Sequence, residues 1–119
     1  MRRRPRDRNV NFDVVDGVLT RTVSFRDGHA YTHRCTRQVY ESVAYAIEER
    51  AGFGGGGEGV TLDSLAAALD LPFTQVNVAL EFMKERGCVV TRNRRNYPAS
   101  TFLYEDAMCE FMFLAELPY

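Results

Sequence analysis

The residues best suited to chemistry are arginines gathered in one short segment in the last third of the chain. Arg92, Arg94 and Arg95 lie within four positions of one another, Tyr97 follows them, and no acidic residue interrupts the segment. Guanidinium groups at the tip of a hairpin suit contact with phosphate oxygens or insertion into a narrow DNA minor groove. We therefore predict that these four residues contact nucleic acid. Charge carried on a loop for solubility is the alternative that the sequence leaves open.

A second set of candidate contacts lies on the helix predicted over residues 73–86. Successive helical residues are separated by 100°, which places apolar side chains on one face and polar ones on the other. The side chains predicted to reach base edges are Thr74, Gln75, Asn77 and Val78. Hydroxyl and amide groups hydrogen-bond to bases, and a valine can touch a thymine methyl group. Glu81 and Glu85 share this face and favour the alternative of a solvated helix, because carboxylates repel phosphates unless one accepts a hydrogen bond from a cytosine amine.

Two histidines and a cysteine, His29, His33 and Cys35, form another group that invites a chemical interpretation. Imidazole and thiolate are good zinc ligands, but a closed zinc site normally needs four ligands and no fourth stands nearby. We therefore predict no metal and no cofactor. Residues 52–59 are rich in glycine, but no Gly-Lys-Ser/Thr follows them, which excludes a phosphate-binding P-loop and favours a flexible connector. No nucleophile and base match a known catalytic motif, so we predict that the chain is not an enzyme.

Polar–apolar alternation and helical spacing predict the elements that position these residues. A β-hairpin extension is predicted over residues 10–33, with strands over 10–15 and 18–25 joined by the turn-forming Asp16-Gly17. Helical spacing begins at Thr36, and Gly52 is placed to end that helix. The remaining predicted elements are two short helices over 61–69 and 73–86, two strands over 88–92 and 100–104, and a last helix over 105–117.

Residues 60–104 combine two short helices, a tight turn and a basic hairpin. The apolar spacing from Leu65 to Val89, with Gly87 closing the second helix and a strand after it, resembles the winged helix-turn-helix superfamily, most of all regulators of the multiple-antibiotic-resistance type. The resemblance implies an α+β winged helix-turn-helix, here preceded by a β-hairpin and followed by an extra C-terminal helix. It also implies a transcriptional regulator that binds double-stranded DNA with a recognition helix and a wing. Winged helices also dock proteins, so a protein-interaction module without DNA binding is the alternative.

The C-terminal helix, within residues 105–119, has more apolar surface than one buried face requires. The residues predicted to form a dimer interface are Met108, Phe111, Met112, Phe113 and Leu117. In the family that the chain resembles, helices outside the winged core commonly make the dimer, and two-fold homodimers are the commonest assembly of soluble proteins. Burial of this surface by the N-terminal hairpin and the first helix of the same chain is the alternative.

Length, composition and charge favour one domain over residues 10–119, preceded by a flexible basic arm over residues 1–9. The 119 residues are 45% apolar and 26% charged, and no apolar run exceeds five residues, so we predict no membrane span. Three cysteines without a C-x-x-C spacing, and no secretory signal, predict a cytoplasmic protein with reduced thiols. Residues 1–8 have a local charge of +4 and the rest of the chain −5, an acidic body that argues against strong binding to nucleic acid.

Overall fold

Three antiparallel strands open the chain in this computed structural model, which describes residues 8–51 and 58–116. The strands are β1 (Arg8–Val15), β2 (Val18–Phe25) and β3 (Ala30–Thr36), and they form a sheet in the order β1-β2-β3. Asp16 and Gly17 have positive φ angles of 52° and 77°, which suit a two-residue turn because its twist matches that of the flanking strands. The hairpin predicted at Asp16-Gly17 is confirmed by the pairing of Val15 with Val18.

The prediction of a two-stranded extension over residues 10–33 is wrong in its strand number and its limits. β1 begins at Arg8, within the segment assigned to the flexible arm, and residues 1–7 lie outside the described residues. The chain turns again near Gly28, and β3 continues to Thr36. Most side chains of β3 are exposed at a sheet edge, so the strand has no clear polar–apolar alternation from which it could be predicted.

Four helices follow, and local signals explain where they begin and end. They are α1 (Arg37–Ala51), α2 (Leu62–Leu69), α3 (Phe73–Glu85) and α4 (Leu103–Glu116). Thr61 caps α2, because its hydroxyl accepts a hydrogen bond from the Ser64 N–H while the Ser64 hydroxyl accepts one from the Thr61 N–H. Asp70 ends α2 in the left-handed region with a φ of 53°. The four helices predicted from spacing are confirmed with small shifts at their ends.

A second, two-stranded antiparallel sheet lies between α3 and α4 along the chain. It consists of β4 (Val89–Arg92) and β5 (Arg95–Pro98). The predicted strand over 100–104 is wrong, because the chain already turns at Asn93 and Arg94, both with positive φ, and α4 begins at Leu103. An isolated bridge between Val60 and Asn96 links the segment before α2 to this sheet. The hairpin is therefore shorter than the one predicted from the sequence, and the bridge to Val60 anchors it.

One continuous core joins the helices to the N-terminal sheet, with α3 packed against α1, α2 and the strands of that sheet. The apolar residues of α2 and α3 that are buried in it include Leu65, Val76, Leu80 and Met83. Leu69 is partly buried against the same core. A 2.7 Å hydrogen bond from the Tyr40 hydroxyl to the Ala107 carbonyl ties α1 to α4.

The result is an α+β fold with four helices and two antiparallel sheets over the described ranges. Within those ranges, no helix combines the length and apolar character that crossing a membrane requires.

Candidate nucleic-acid interface

The arginines predicted to contact nucleic acid lie together at one end of the β4–β5 hairpin (residues 89–98), called the arginine hairpin below. Arg92 and Arg95 are paired across the two strands, and Arg94 lies in the turn between them. All three residues are exposed, and none has an ion-pair partner within residues 8–51 and 58–116. Guanidinium groups that are free of internal carboxylates can each pair with a phosphate oxygen.

Asn96 fixes the base of the arginine hairpin, and sequence reasoning missed it. Its backbone exchanges hydrogen bonds of 3.0 and 2.8 Å with Val60, and its side-chain amide donates a further one of 3.0 Å to the Val60 carbonyl. Its side-chain carbonyl accepts a hydrogen bond of 2.8 Å from the Thr91 hydroxyl. These bonds satisfy the polar groups of a buried side chain, as burial requires. Val60 lies 36 residues away along the chain, so no local signal indicated the pairing.

Tyr97 anchors the arginine hairpin to the segment before α2. The side chain is half-buried, and its hydroxyl donates a hydrogen bond of 3.2 Å to the Glu58 carbonyl. Its ring lies against Gly59, where an added Cβ would be 2.7 Å from the ring carbon Cζ. Gly59 also has a φ of +74°, so a side chain at this position would be both strained and crowded. Contact between Tyr97 and nucleic acid stays a prediction, whereas its anchoring role is visible.

The face of α3 predicted to meet base edges is partly covered by the N-terminal sheet. Val78 is fully buried, so the prediction that it touches a thymine methyl group is wrong. Phe82, one turn further along, is also fully buried and meets Phe12 of β1 edge-to-face with ring centroids 5.2 Å apart. The sheet thus packs along this side of α3. Helical periodicity identified one apolar face of α3 but could not indicate a second packing layer from strands far away in sequence.

The three other predicted residues of α3 differ in how available they are. Gln75 is half-buried, and its side-chain carbonyl accepts a hydrogen bond of 3.0 Å from the Thr36 N–H, which ties α3 to the end of β3. Thr74 is exposed and Asn77 is half-buried. Phe73 lies beside them and is also exposed, although an apolar residue is not usually predicted to face solvent. Phe73, Thr74 and Asn77 form a surface that we call the open start of α3.

The two glutamates of α3 have cations as neighbours. Lys84 Nζ lies 3.0 Å from the Glu81 carboxylate, and the Arg86 guanidinium lies 3.7 Å from the carboxylate of Glu85. The same arginine is 3.6 Å from Glu110 of α4. Such solvent-accessible pairs contribute little to stability. They do reduce the negative charge on α3, which was the feature of the sequence least compatible with a phosphate-lined groove.

The residues predicted to form a dimer interface on α4 separate into two groups. Phe111 is buried within the chain, where its ring packs 5.2 Å from an aromatic ring of α1, so its assignment to a dimer interface is wrong. Met108 is partly buried against the core, and Leu117 lies outside the described residues. Met112 and Phe113 remain exposed, Phe113 by 57% of its surface. These two residues are called the α4 patch below.

The cysteines and histidines of the described residues are not part of a metal-binding cluster. Within residues 8–51 and 58–116, no three His, Cys, Asp or Glu side chains are arranged to hold a metal ion. Burial raises the pKa of the Cys35 thiol to about 12 and that of Cys88 to about 11, which keeps both thiols protonated near neutral pH. Cys109 is exposed on α4, one helical turn before the α4 patch.

The comparisons with known proteins assign no family to this chain, because no family model, curated protein or solved structure matches it. Geometry and charge are therefore the basis for inferring a function. The three surface features available for this are the arginine hairpin, the open start of α3 and the α4 patch.

Proposed function

We propose that this chain is a winged helix-turn-helix protein that binds double-stranded DNA as a transcriptional regulator. The order of its elements supports the proposal: α1 is followed by the bridging residue Val60, then by α2 and α3, and then by the β4–β5 hairpin. In a winged helix of this order, α2 and α3 form the helix-turn-helix, α3 is the recognition helix and the arginine hairpin is the wing.

The arginine hairpin is the observation on which the proposal depends. Its three arginines project from a chain whose charge, outside residues 1–8, sums to −5, and within the described ranges they are not neutralised by carboxylates. The guanidinium fork matches the geometry of a phosphate group, and the hydrogen bonds of Asn96 hold the hairpin that presents these forks. An exposed cationic tip on an acidic protein favours a polyanion as the ligand.

The open start of α3 supplies the second contact in this proposal. No side chain caps the N-terminus of α3, so the N–H groups of its first turn and the positive end of its dipole are available to a phosphate. Thr74 and Asn77 can hydrogen-bond to phosphates or to base edges. Because Val78 is buried and Gln75 is bonded to Thr36, few side chains remain for reading bases. We therefore expect phosphate contacts to dominate and sequence preference to be weak.

Binding to a random-sequence duplex over a salt series tests the proposal. If the three arginines of the hairpin each neutralise one phosphate, the logarithm of the affinity should fall by roughly 2.7 per log unit of salt, at about 0.9 per contact. Fluorescence anisotropy of a labelled duplex measures both the affinity and the slope. A single strand of the same sequence is the matched comparison and should give the shallower slope expected of single strands. Absence of duplex binding at low salt would contradict the proposal.

We also propose that the chain forms a homodimer through the α4 patch. Met112 and Phe113 are adjacent on an exposed side of α4, and a two-fold axis through this side would bring two copies of the same apolar surface together. A dimer would present two arginine hairpins, which suits binding to two half-sites of a duplex.

The dimer leads to a test of mass and of thiol reactivity. Light scattering should report about 27 kDa, twice the 13.6 kDa chain, for a two-fold pair. Phe113→Asp should yield the monomer, because a carboxylate in an apolar interface is costly to desolvate. Cys109 should then react faster with a thiol reagent than in the wild type, since it lies beside the patch. Phe102→Asp, at a residue 61% exposed near the other end of α4, should leave the dimer intact. A wild-type monomer at high concentration would contradict the dimer.

A docking module for arginine-bearing peptides is the second candidate function, and a groove favours it. The groove measures about 690 Å³ and lies between α1 and the start of α4. Its aromatic and acidic lining residues include Tyr45, Phe102, Tyr104, Glu41, Glu48 and Glu105. Aromatic faces and carboxylates together attract guanidinium groups.

Titration with an arginine octamer distinguishes the two functions, because Tyr45→Ala should abolish peptide binding and leave duplex binding unchanged. Peptide binding without duplex binding would favour this candidate.

A further inference from the structure

A buried arginine that has no ion-pair partner among the described residues lies between the N-terminal sheet and α3. Arg21 is in the middle of β2, and its side chain is only 7% exposed. Alternation along the strand puts it on the same face as Leu19 and Val23, which are fully buried. Its Nε atom is buried without a hydrogen-bond partner, and its guanidinium forms no ion pair within residues 8–51 and 58–116.

This environment is costly for a charged group. Burial of a charge without a partner destabilises a fold, so buried arginines are normally paired. Arg86 provides the contrast within the same protein: its Nε also lacks a hydrogen bond, but its guanidinium lies 3.6 Å from Glu110 and 5.3 Å from the centre of the Phe82 ring. In the described part of the chain, no carboxylate lies within ion-pair distance of Arg21. An apolar residue would satisfy this strand position better, unless the guanidinium pairs with a ligand.

Arg21 is one of the residues that line a cleft of about 340 Å³, a volume within the usual range for small-molecule sites. The apolar Val10 and Phe12 of β1 form one side of the cleft, and charged residues of α3 form the other. The charged residues around it, besides Arg21, are Arg8, Lys84, Glu81 and Glu85. Lys84 is paired with Glu81 at 3.0 Å. Glu85 lies 3.7 Å from Arg86, which is also close to Glu110. The charged residues that line the cleft are three basic and two acidic ones, an excess of one positive charge.

We propose that this cleft binds a small organic molecule that carries a single carboxylate, held by the guanidinium of Arg21. The two N–H groups on one edge of a guanidinium match the two oxygens of a carboxylate. One excess positive charge in the cleft matches a monoanion, and the carboxylate of Glu85 disfavours a dianion. Val10 and Phe12 offer apolar surface to the rest of the molecule. The inference is independent of DNA binding and of dimer formation.

NMR of the arginine Nε–H groups tests the site directly, with butyrate as the probe. The proton signal of a buried Nε–H that gains a carboxylate acceptor should move downfield, and the proton should exchange more slowly with water. The signal of Arg21 is assigned by its absence from the spectrum of Arg21→Lys. We expect a saturable shift for Arg21 and none for Arg34, an exposed arginine on the opposite face of the same sheet. Acetate should bind more weakly than butyrate, because it lacks most of the apolar chain. Inorganic phosphate at matched ionic strength should give no saturable shift.

Thermal unfolding provides a second measurement that does not depend on assignments. A ligand that binds only the folded state raises Tm, and the rise grows with the ratio of ligand concentration to Kd, so butyrate should raise Tm of the wild type and of Arg34→Gln. It should have no effect on Arg21→Met. Without butyrate, Arg21→Met should unfold at a higher temperature than the wild type, because an apolar side chain of similar size replaces an unpaired charge. Arg21→Lys keeps the charge but lacks the fork, and should bind butyrate at least ten-fold more weakly.

Three results would overturn the proposal. The first is a butyrate-dependent rise in Tm that Arg21→Met retains, and the second is saturable binding of phosphate in place of butyrate. The third is an upfield shift of the Arg21 Nε–H signal in Glu85→Gln without any probe, as large as the downfield shift that butyrate produces in the wild type. It would show that the Glu85 carboxylate already accepts a hydrogen bond from Arg21 in solution.

Discussion

Replacing Phe82 by alanine is expected to lower the free energy of unfolding by about 3–5 kcal/mol, the range for truncating a buried aromatic residue. Phe82 is fully buried on α3, and its ring meets Phe12 of β1 at 5.2 Å and Tyr40 of α1 at 5.8 Å, both edge-to-face. The same ring lies 5.3 Å from the Arg86 guanidinium. The residue therefore joins the N-terminal sheet to the helical core, and its removal leaves a cavity between them. Chemical denaturation followed by circular dichroism measures the loss.

Phe102→Ala is the matched control for this stability measurement. Phe102 is 61% exposed, and surface truncations of this kind usually change stability by about 0.5 kcal/mol or less. A cost of the same small size at Phe82 would contradict the packing of the N-terminal sheet on α3. If the sheet were only loosely attached, the variant would instead show two separate unfolding transitions, because the two layers would no longer unfold cooperatively.

Local interactions explain the parts of the fold that could be predicted from sequence. The start of α2 depends on a hydrogen-bonded exchange between Thr61 and Ser64, three residues apart. The first hairpin depends on the backbone freedom of Asp16-Gly17. The arginine cluster could be recognised for a similar reason, because its charges are adjacent in the chain, although the second strand of its hairpin was predicted too late in the sequence. Each of these signals is contained within a few residues, so a single sequence is enough to detect it.

The features that could not be predicted depend on partners that are distant in the chain. Periodicity places Val78 on a face predicted to contact DNA and Phe111 on one predicted to contact a second copy, since it shows which residues share a face but not how many faces are covered. The N-terminal sheet packs along the Val78 side of α3, and α1 covers Phe111. Gln75 was predicted to contact DNA, but its side-chain carbonyl accepts a hydrogen bond from Thr36, 39 residues away. In each case a tertiary contact, and not the local sequence pattern, determines the role of the side chain.

Removing two charges from the arginine hairpin is expected to have the largest effect on DNA binding. We expect the double variant Arg94→Asn/Arg95→Gln to flatten the salt dependence of duplex binding by about 1.8, at roughly 0.9 per lost phosphate contact. Extrapolated from 1 M to 0.1 M salt, this corresponds to a loss of affinity of about 60-fold. Asparagine is chosen at position 94 because Arg94 has a φ of 66°, a left-handed conformation that asparagine tolerates well. The turn is thereby retained while the charge is removed.

Two single variants separate phosphate contact from other effects of this change. Arg34→Gln removes one exposed positive charge from β3, on a different sheet from the arginine hairpin, and should leave both the slope and the affinity nearly unchanged. Asn77→Ala should alter which sequences are preferred without changing the slope, because a contact to a base releases few counterions. If Arg34→Gln flattened the slope as much as loss of one hairpin arginine, net charge rather than the hairpin would govern binding. An equal loss of salt slope per charge in Arg34→Gln and in the hairpin variant would contradict the role of the arginine hairpin as a wing. A wing contributes because its charges are held next to the phosphates, so their position and not only their number must matter.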